Sequence, residues 1–411
     1  MKTVYVGMSG GVDSSVAAFL LKEQGYHVVG VYMKNWSQDL PGMKCPWAED
    51  LADAKRVAVK LGIDFEVWDF EKEYREKVVE YMLDEFRAGN TPNPDVMCNQ
   101  EIKFKLFYEK AMEAGADFIA TGHYARVQHF GDVSLGTGVA PARRYGRSAP
   151  SSSVVTSGHP PKNISESAQL LRAVDENKDQ TYFLYRISDE ALAHTLFPVG
   201  EMLKPDVKKL AEKNGLHNAY KKESMGVCFV GEVGMKDFLK EYIDVAPGEI
   251  REMESDRVLG YHEGAVFYTI GQRHGLYLDG EKGVINDGLP YYVVKKDVAK
   301  NIVYVSKNLN NAEIWTKKLD LKDIFLRSVP PINGKMQDSA LAKRDSKATG
   351  NDKKWSEKIS VSVRLRHRAP LVPATFDGKT LHFEHEIKRP ASGQSAVLYD
   401  GEICLGGGII A

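Results

Sequence analysis

The chain has 411 residues, too long for one ordinary core, so two or three domains are expected. A hydrophobic fraction of 43% beside 27% charged residues fits a soluble globular protein and excludes a disordered or fibrous one. The net charge of −1 argues neither for nor against a nucleic-acid partner, and no apolar run reaches the ~18 residues of a membrane span.

The first ~125 residues alternate strand and helix patterns, as a parallel α/β sheet does. "TVYVGM" is an apolar strand running into the glycine-rich "SGGVDSS", after which "VAAFLLKEQG" has helical spacing. "YHVVGVYM" is the second strand and "AEDLADAKRVAVKLG" a helix ending at Gly62. "DFEVWDF" is the third strand, followed by the amphipathic helix "EKEYREKVVEYMLDEFRAG". "TPNPDVMCN" reads as a loop, "QEIKFKLFYEKAMEAG" as the next helix and "DFIATGHYARV" as the fourth strand. Because a strand starts within the first residues, no leader is expected and the protein is placed in the cytoplasm.

Residues 129–168 are rich in Gly, Ser and Pro and are expected to form a flexible insertion. Helical patterns with many lysines return over 188–245, and after about 246 the chain turns β-rich. A second polar stretch, at 333–356, reads as another flexible insertion. The expected architecture is α/β: a parallel-sheet domain over 1–230, a small central domain over 231–297 and a C-terminal β-barrel-like domain over 298–411.

The loop at residues 8–15 offers Gly10 and Gly11 for close backbone approach, and Ser14 and Ser15 where a helix begins. Free amides and the positive helix end favour an anion such as phosphate. The lysine of G-x-x-x-x-G-K-[ST] is absent and G-x-G-x-x-G does not fit, so a different class of phosphate loop is indicated. Asp13 is expected to cap the helix or help bind Mg²⁺.

Four cysteines, Cys45, Cys98, Cys228 and Cys404, are too few for a disulfide framework and lack zinc spacing. Cys98 precedes a predicted helix, where free amides favour thiolate, and Asp95 lies three residues earlier, within reach for proton transfer. Cys228 sits in the turn-like "GVCFVG". Cys45 and Cys404 read as small buried hydrophobes, Cys404 as core.

"SGGVDSS" resembles the PP-loop of the ATP pyrophosphatases, which split ATP into AMP and pyrophosphate while adenylating a substrate. With "AGNTPNPDVMCNQEIKF", "DFIATGHYARV", "LLRAVDENKDQTYFLY", "LFPVGEMLKP", "GVCFVG", "YTIGQRHGL" and "GQSAVLYDGEICLGGGII", nearly the whole chain outside the insertions resembles the bacterial-type tRNA-specific 2-thiouridylases, the MnmA family. The resemblance implies a PP-loop domain of the adenine nucleotide alpha hydrolase type. It also implies ATP-dependent transfer of sulfur to C2 of the wobble uridine of a tRNA anticodon, releasing AMP and pyrophosphate.

By the same resemblance, ATP sits on Gly7, Met8, Ser9, Gly10, Gly11, Val12, Asp13 and Ser14, with Met33 and Gly122 near the adenine end. Cys228 carries a persulfide supplied by a sulfur-relay protein or a cysteine desulfurase, and Cys98 is the nucleophile that forms a transient disulfide with it. Asp95 is the acid/base group, and Asn93, Pro94 and Asp95 line the pocket for the target base. His123, Lys178, Asp179, Gln180, Arg366, His367 and Gln394 are implied tRNA contacts, the densest basic stretches being "KKLAEKNGLHNAYKKE" and "RLRHR". A flipped-out base favours a loop as its reader.

ATP and Mg²⁺ are the expected small molecules, no resident structural metal is expected, and a monomer is expected. An iron–sulfur cluster on Asp95, Cys98 and Cys228 stays open as an alternative to the persulfide. Two other classes are weighed. An ammonia-using amide synthetase gives the two cysteines no role, and a tRNA-binding protein with a relict nucleotide site has no need of an intact loop, Asp95 and both cysteines.

Overall fold

The structure is a computed structural model, described here for residues 1–39, 47–130, 167–222, 235–278, 289–308, 314–327 and 358–411. A parallel sheet opens the chain: β1 (Thr3–Gly7), β2 (His27–Lys34), β3 (Asp64–Asp69) and β4 (Phe118–Thr121). A fifth strand, β7 (Thr195–Leu196), completes the order β3-β2-β1-β4-β7. β1 pairs with β2 from Thr3↔His27 to Gly7↔Val31 and with β4 from Val4↔Phe118 to Gly7↔Thr121. Its continuous Val-Tyr-Val run is buried on both faces, as a central parallel strand requires. Helix α1 (Val12–Glu23) buries Val16, Ala17 and Leu21, and α2 (Trp47–Leu61) buries Ala54, Val57 and Leu61 in the same core.

The chain then makes two strands absent from the first sheet, β5 (Arg126–Phe130) and β6 (Ser167–Leu171), paired antiparallel from Arg126↔Leu171 to Phe130↔Ser167. They claim positions 129–130 and 167–168, which sequence patterning gave to the insertion; the remainder of that insertion and all of 333–356 lie outside the described residues. The central sheet has the order β10-β11-β8-β9, from β8 (Gly248–Glu252), β9 (Val258–His262), β10 (Tyr292–Asp297) and β11 (Ile302–Ser306). A domain border at 297/298 would cut the β10–β11 hairpin, so the central unit extends at least to Ser306. Its core is Ile250, Leu259, Val293, Val303 and Val305.

The C-terminal strands are β12 (Trp315–Leu326), β13 (Ile359–Arg364), β14 (Val372–Phe376), β15 (Thr380–Lys388), β16 (Ser395–Asp400) and β17 (Ile403–Ile410). They run β12-β15-β14-β13-β16-β17, and pairing of β12 with β17 closes the barrel. Closure leaves β12 and β17 no free edge toward each other. The β5–β6 hairpin attaches through Leu171↔Ile403, so the first domain adds strands to the outside of the last.

Candidate active site

In the first sheet β1 is followed outward by β2 and β3 on one side and by β4 on the other. Loops leaving the C-terminal ends of β1 and β4 therefore diverge to opposite faces and open a crevice, the usual ligand site of such sheets. The glycine-rich loop after β1 fills one wall. Met8 N–H donates to Val31 O (2.8 Å), Ser9 N–H to Ser14 Oγ (3.2 Å), and the Ser14 and Ser15 hydroxyls both donate to Gly11 O (3.1 and 2.9 Å). Asn218 braces the loop from outside, its Nδ2 2.9 Å from both Gly10 O and Ser15 Oγ. Gly10 has φ +77°, and a Cβ there would lie 2.4 Å from Asp50 O. A Cβ on Gly122, in the loop after β4, would fall 2.5 Å from Ser14 N, so the two walls touch only because this residue is glycine. The Met33 methyl reaches the Gly7 position. Gly7–Ser14, Met33 and Gly122 thus converge on one crevice.

Asp13 does not cap α1; the cap position is Gly11, without a side-chain bond. Its carboxylate instead receives Lys204 Nζ at 2.7 and 2.8 Å and Tyr124 Oη at 2.9 Å. Lys204 is buried, at the start of the helix Lys204–Lys213, and its ammonium neutralises the one carboxylate of the loop. Nothing in the local sequence links Lys204 to a residue so far away, and only the fold could reveal the pair.

Beside His123 runs a helix over 94–113, kinked at Phe104. It starts at Pro94, six residues before the Gln100 onset that the loop reading of "TPNPDVMCN" implied, with Pro94 at its first position, where a missing N–H costs nothing. Cys98 is therefore inside the helix rather than ahead of it, and it is buried. From Cys98 to Leu106 the helix widens into a π-type turn, ending near a kink at Phe104 (φ −108°, ψ 17°). Asp95 is in the first turn; burial raises its carboxyl above the usual range, and the nearby charge of Lys103 pulls it partly back. His123 is held well below the usual imidazole range by burial and then by Lys103. Its Nδ1 lies 2.8 Å from Thr121 Oγ1 and its Nε2 3.5 Å from Lys103 Nζ. Since an ammonium can only donate, Nε2 is the acceptor and the neutral ring carries its proton on Nδ1.

The segment that leads into this helix is gripped by all three domains. Thr91 N–H donates to Ser392 O (2.8 Å), and Gln394 Nε2 donates to Thr91 O (2.8 Å) and Pro92 O (3.4 Å). Thr91 Oγ1 is 3.5 Å from Thr269 Oγ1 of the central domain, and Gly89 packs on Val298. Gln394, expected at a tRNA surface, points its amide at the backbone of Thr91 and Pro92. Asn93 bonds Tyr182, whose hydroxyl donates to Ser395 O (3.1 Å), so Asn93 also rests on the barrel.

The other implied tRNA contacts separate into two groups. Asp179 is buried; it pairs with Arg364 Nη1 and accepts from Thr181 Oγ1 (2.9 Å) and Ala173 N–H (3.2 Å). It fastens the first domain to the barrel and is not available at the surface. Gln180 likewise turns inward, its Oε1 accepting from Tyr124 N–H (2.9 Å). Arg366 is exposed, Lys178 is half-buried, and His367 stacks beside Phe183 with ring centres 4.5 Å apart. Burial, with Arg368 and Arg364 nearby, pushes His367 down to about 4. Cys404 is core as expected, its thiol pushed up to about 11 by burial. Cys45 and Cys228 lie outside the described residues, so the Cys98–Cys228 pairing has no geometry here.

A family model described as tRNA methyl transferase HUP domain matches residues 2–232. A tRNA methyl transferase PRC-barrel domain matches 236–307, and an aminomethyltransferase beta-barrel domain matches 340–410. A protein of Proteus mirabilis named tRNA-specific 2-thiouridylase MnmA is 42% identical over 415 residues, covering 100% of this chain and 97% of its own. One of the same name from Lysinibacillus sphaericus is 40% identical over 412 residues, covering 99% and 93%. The chain belongs to the tRNA-specific 2-thiouridylase family. The domain descriptions speak of methyl transfer, but the 2-thiouridylase relatives match along the entire chain and decide the family. Among the described residues of this 2-thiouridylase family member, no group of three His, Cys, Asp or Glu side chains could hold a metal ion. The set Asp95, Cys98 and Cys228 includes a residue outside them. No helix among the described residues is long and apolar enough to cross a membrane.

Proposed function

We propose that the protein is a tRNA-uridine 2-sulfurtransferase that adenylates the C2 oxygen of the wobble uridine and replaces it with sulfur. The carrying observation is the convergence of the nucleotide-type loop, the Gly122–His123 turn and the helix bearing Asp95 and Cys98 on one crevice. A carbonyl oxygen is a poor leaving group, and adenylation turns it into AMP. Uridine O2 attacks the α-phosphorus of ATP, the bond to pyrophosphate breaks, and the N3 proton passes to a base, the role suited to Asp95.

Sulfur then arrives on Cys228 as a persulfide from a sulfur-relay protein or a cysteine desulfurase. Its terminal sulfur adds to C2, and the C2–O bond breaks to release AMP. The Cys98 thiolate attacks the Cys228 sulfur, breaking the S–S bond and leaving 2-thiouridine and a Cys98–Cys228 disulfide, which an external thiol must reduce. Residues 7–14, with Met33 and Gly122, would hold ATP; Asn93 and Pro94 would line the base pocket; Lys178, Arg366 and His367 are the remaining surface for tRNA. The loop needs no lysine clamp on a γ-phosphate, because pyrophosphate departs whole. ATP and tRNA meet in the cytoplasm, where the reading places the protein.

The test is thiolation of an unmodified tRNA bearing a wobble uridine by anaerobically purified protein, with ATP, Mg²⁺ and sulfide or a persulfide donor. Thiouridine from wild type, none from Cys98→Ala or Cys228→Ala, is the expected result, and iron content of the active sample separates persulfide from cluster. ATP consumption without tRNA, or full activity in both cysteine variants, would overturn the reading in favour of an amide-forming synthetase.

A further inference from the structure

A loop that is to take the phosphates of ATP carries one acid, Asp13, whose charge opposes an incoming polyanion unless it is paired. Two donors meet on that carboxylate: the Tyr124 hydroxyl at 2.9 Å and the Lys204 ammonium at 2.7 and 2.8 Å. Both residues are buried, and the ammonium also lies 5.8 Å from the centre of the Tyr124 ring. Neither is placed there by local sequence preference. Lys204 opens a helix, where a cation meets the positive end of the dipole. Tyr124 follows the Gly122–His123 turn, outside any strand or helix.

One short segment fixes both donors. Leu203 occupies the cap position of the Lys204 helix without a side-chain bond, so the first helical amide needs an outside acceptor. Asp175 supplies it: Lys204 N–H donates to Asp175 Oδ2 at 2.9 Å. The other oxygen of Asp175 accepts from Asn177 N–H at 3.1 Å, which fixes the direction of the carboxylate. Further along the segment, Gln180 brackets Tyr124 with two bonds. Its N–H donates to Tyr124 O at 2.8 Å, and its Oε1 accepts from Tyr124 N–H at 2.9 Å. Asp175 and Gln180 therefore hold the two residues that converge on Asp13, and Gly122 of the bracketed turn lies against the amide of Ser14, the next loop residue.

We propose that Asp175 and Gln180 are positioning residues of the nucleotide site, which through Lys204 and Tyr124 keep Asp13 paired so that the loop can receive an anion. The inference rests on the reading of residues 7–14 as the ATP loop, and it moves Gln180 from RNA recognition to nucleotide binding. Both residues act through their neighbours, and no covalent bond is made or broken at either.

The experiment measures Kd for ATP by isothermal titration, Kd for tRNA by filter retention, and melting temperature. The proteins are wild type, Tyr124→Phe, Gln180→Ala, Gln180→Glu, Asp175→Ala, the double variant Tyr124→Phe/Gln180→Ala, and Glu176→Gln. Tyr124→Phe removes only the hydroxyl bonded to a carboxylate and should weaken ATP about tenfold. Gln180→Ala and Asp175→Ala should weaken it to a similar extent, with Kd for tRNA within about twofold of wild type. Gln180→Glu keeps an oxygen for the Tyr124 amide and should restore most of the ATP affinity. The double variant should be no weaker than the poorer single, because both changes act through one contact, whereas independent losses would multiply. Glu176→Gln, an exposed side chain of the same segment, should match wild type.

ATP binding by Gln180→Ala and Asp175→Ala within about twofold of wild type overturns the proposal, whatever their melting temperatures, since the two side chains would then be structural only. Weaker tRNA binding by Gln180→Ala at unchanged ATP affinity also overturns it and returns Gln180 to the RNA surface. So do losses that multiply in the double variant, or a Gln180→Glu as weak as Gln180→Ala. If Asp175→Ala does not fold, Tyr124→Phe and the Gln180 variants decide alone. Failure of the wild type to bind ATP would instead sink the reading of the loop.

Discussion

The glycine-rich loop and the segment 89–98 are held in opposite ways. The loop is largely self-made: its own serine hydroxyls and glycine amides tie residues 9–15 together, and outside help comes from Asn218, Lys204 and the Gly122 turn of the same domain. The other wall has few internal ties before its helix begins. It hangs from Ser392 and Gln394 in the barrel and from Thr269 and Val298 in the central domain. A loop built locally can form before the domains dock, whereas a segment held by the barrel and the central domain is complete only when both are in place.

The largest effect is expected from separating the domains. Removing one partner of a buried ion pair strands the other, at about 3–5 kcal/mol. Asp179→Ala should therefore lower the melting temperature markedly and abolish thiolation, while isothermal titration still detects ATP binding on the folded fraction. If Asp179→Ala leaves stability within 1 kcal/mol of wild type by urea unfolding (about the size of an exposed pair), the Asp179–Arg364 pair is not the fastener described.

Next comes the local wall. In Gly122→Ala the new Cβ must displace the Ser14 amide, so ATP affinity should fall by about 100-fold (near 2.7 kcal/mol) while tRNA binding by filter retention is kept. Equal losses in both would show that the two walls are not independent.

Gln394→Ala distinguishes a clasp from a tRNA contact. With Gln394 bonded to Thr91 and Pro92, kcat for thiolation should drop about tenfold, the value of one lost hydrogen bond near 1.4 kcal/mol, and Kd for tRNA should hold. A weaker Kd at unchanged kcat would return Gln394 to the RNA surface.

The smallest effect concerns Asp95. Burial raises its folded-state pKa, so the folded chain binds the proton more tightly than the unfolded one. Its contribution to stability is present at low pH and is lost as pH rises from the ordinary carboxylate range through the raised value. At neutral pH the ion is a net cost, and Asp95→Asn should raise the melting temperature by about 1–3 °C while ending activity. A fall in melting temperature at pH 7 would mean that Lys103 outweighs burial.

What was legible from sequence follows the same division. Apolar runs long enough to be buried strands and the Gly-Gly-Val-Asp-Ser-Ser turn are short-range patterns, and they gave the parallel sheet and the strand-to-helix loop after its first strand. Helix onset at Pro94 was missed because proline and asparagine usually mark loops, although proline suits a first helical position. Asp179, Gln180 and Gln394 looked like surface polar residues, since a one-dimensional pattern cannot show that a barrel will cover them.

By itself the sequence determined the class of the molecule: α/β then β, a glycine-rich loop between the first strand and its helix, and cysteines too sparse for any structural framework. Only the tertiary structure decided which charges meet. Lys204 pairs with Asp13, Lys77 and Lys105 with Glu101, and Arg364 with Asp179. The physical reason is range. Backbone preference and hydrophobic periodicity act over a few residues, whereas a charge is neutralised by whatever the fold brings within about 4 Å, however distant in the chain.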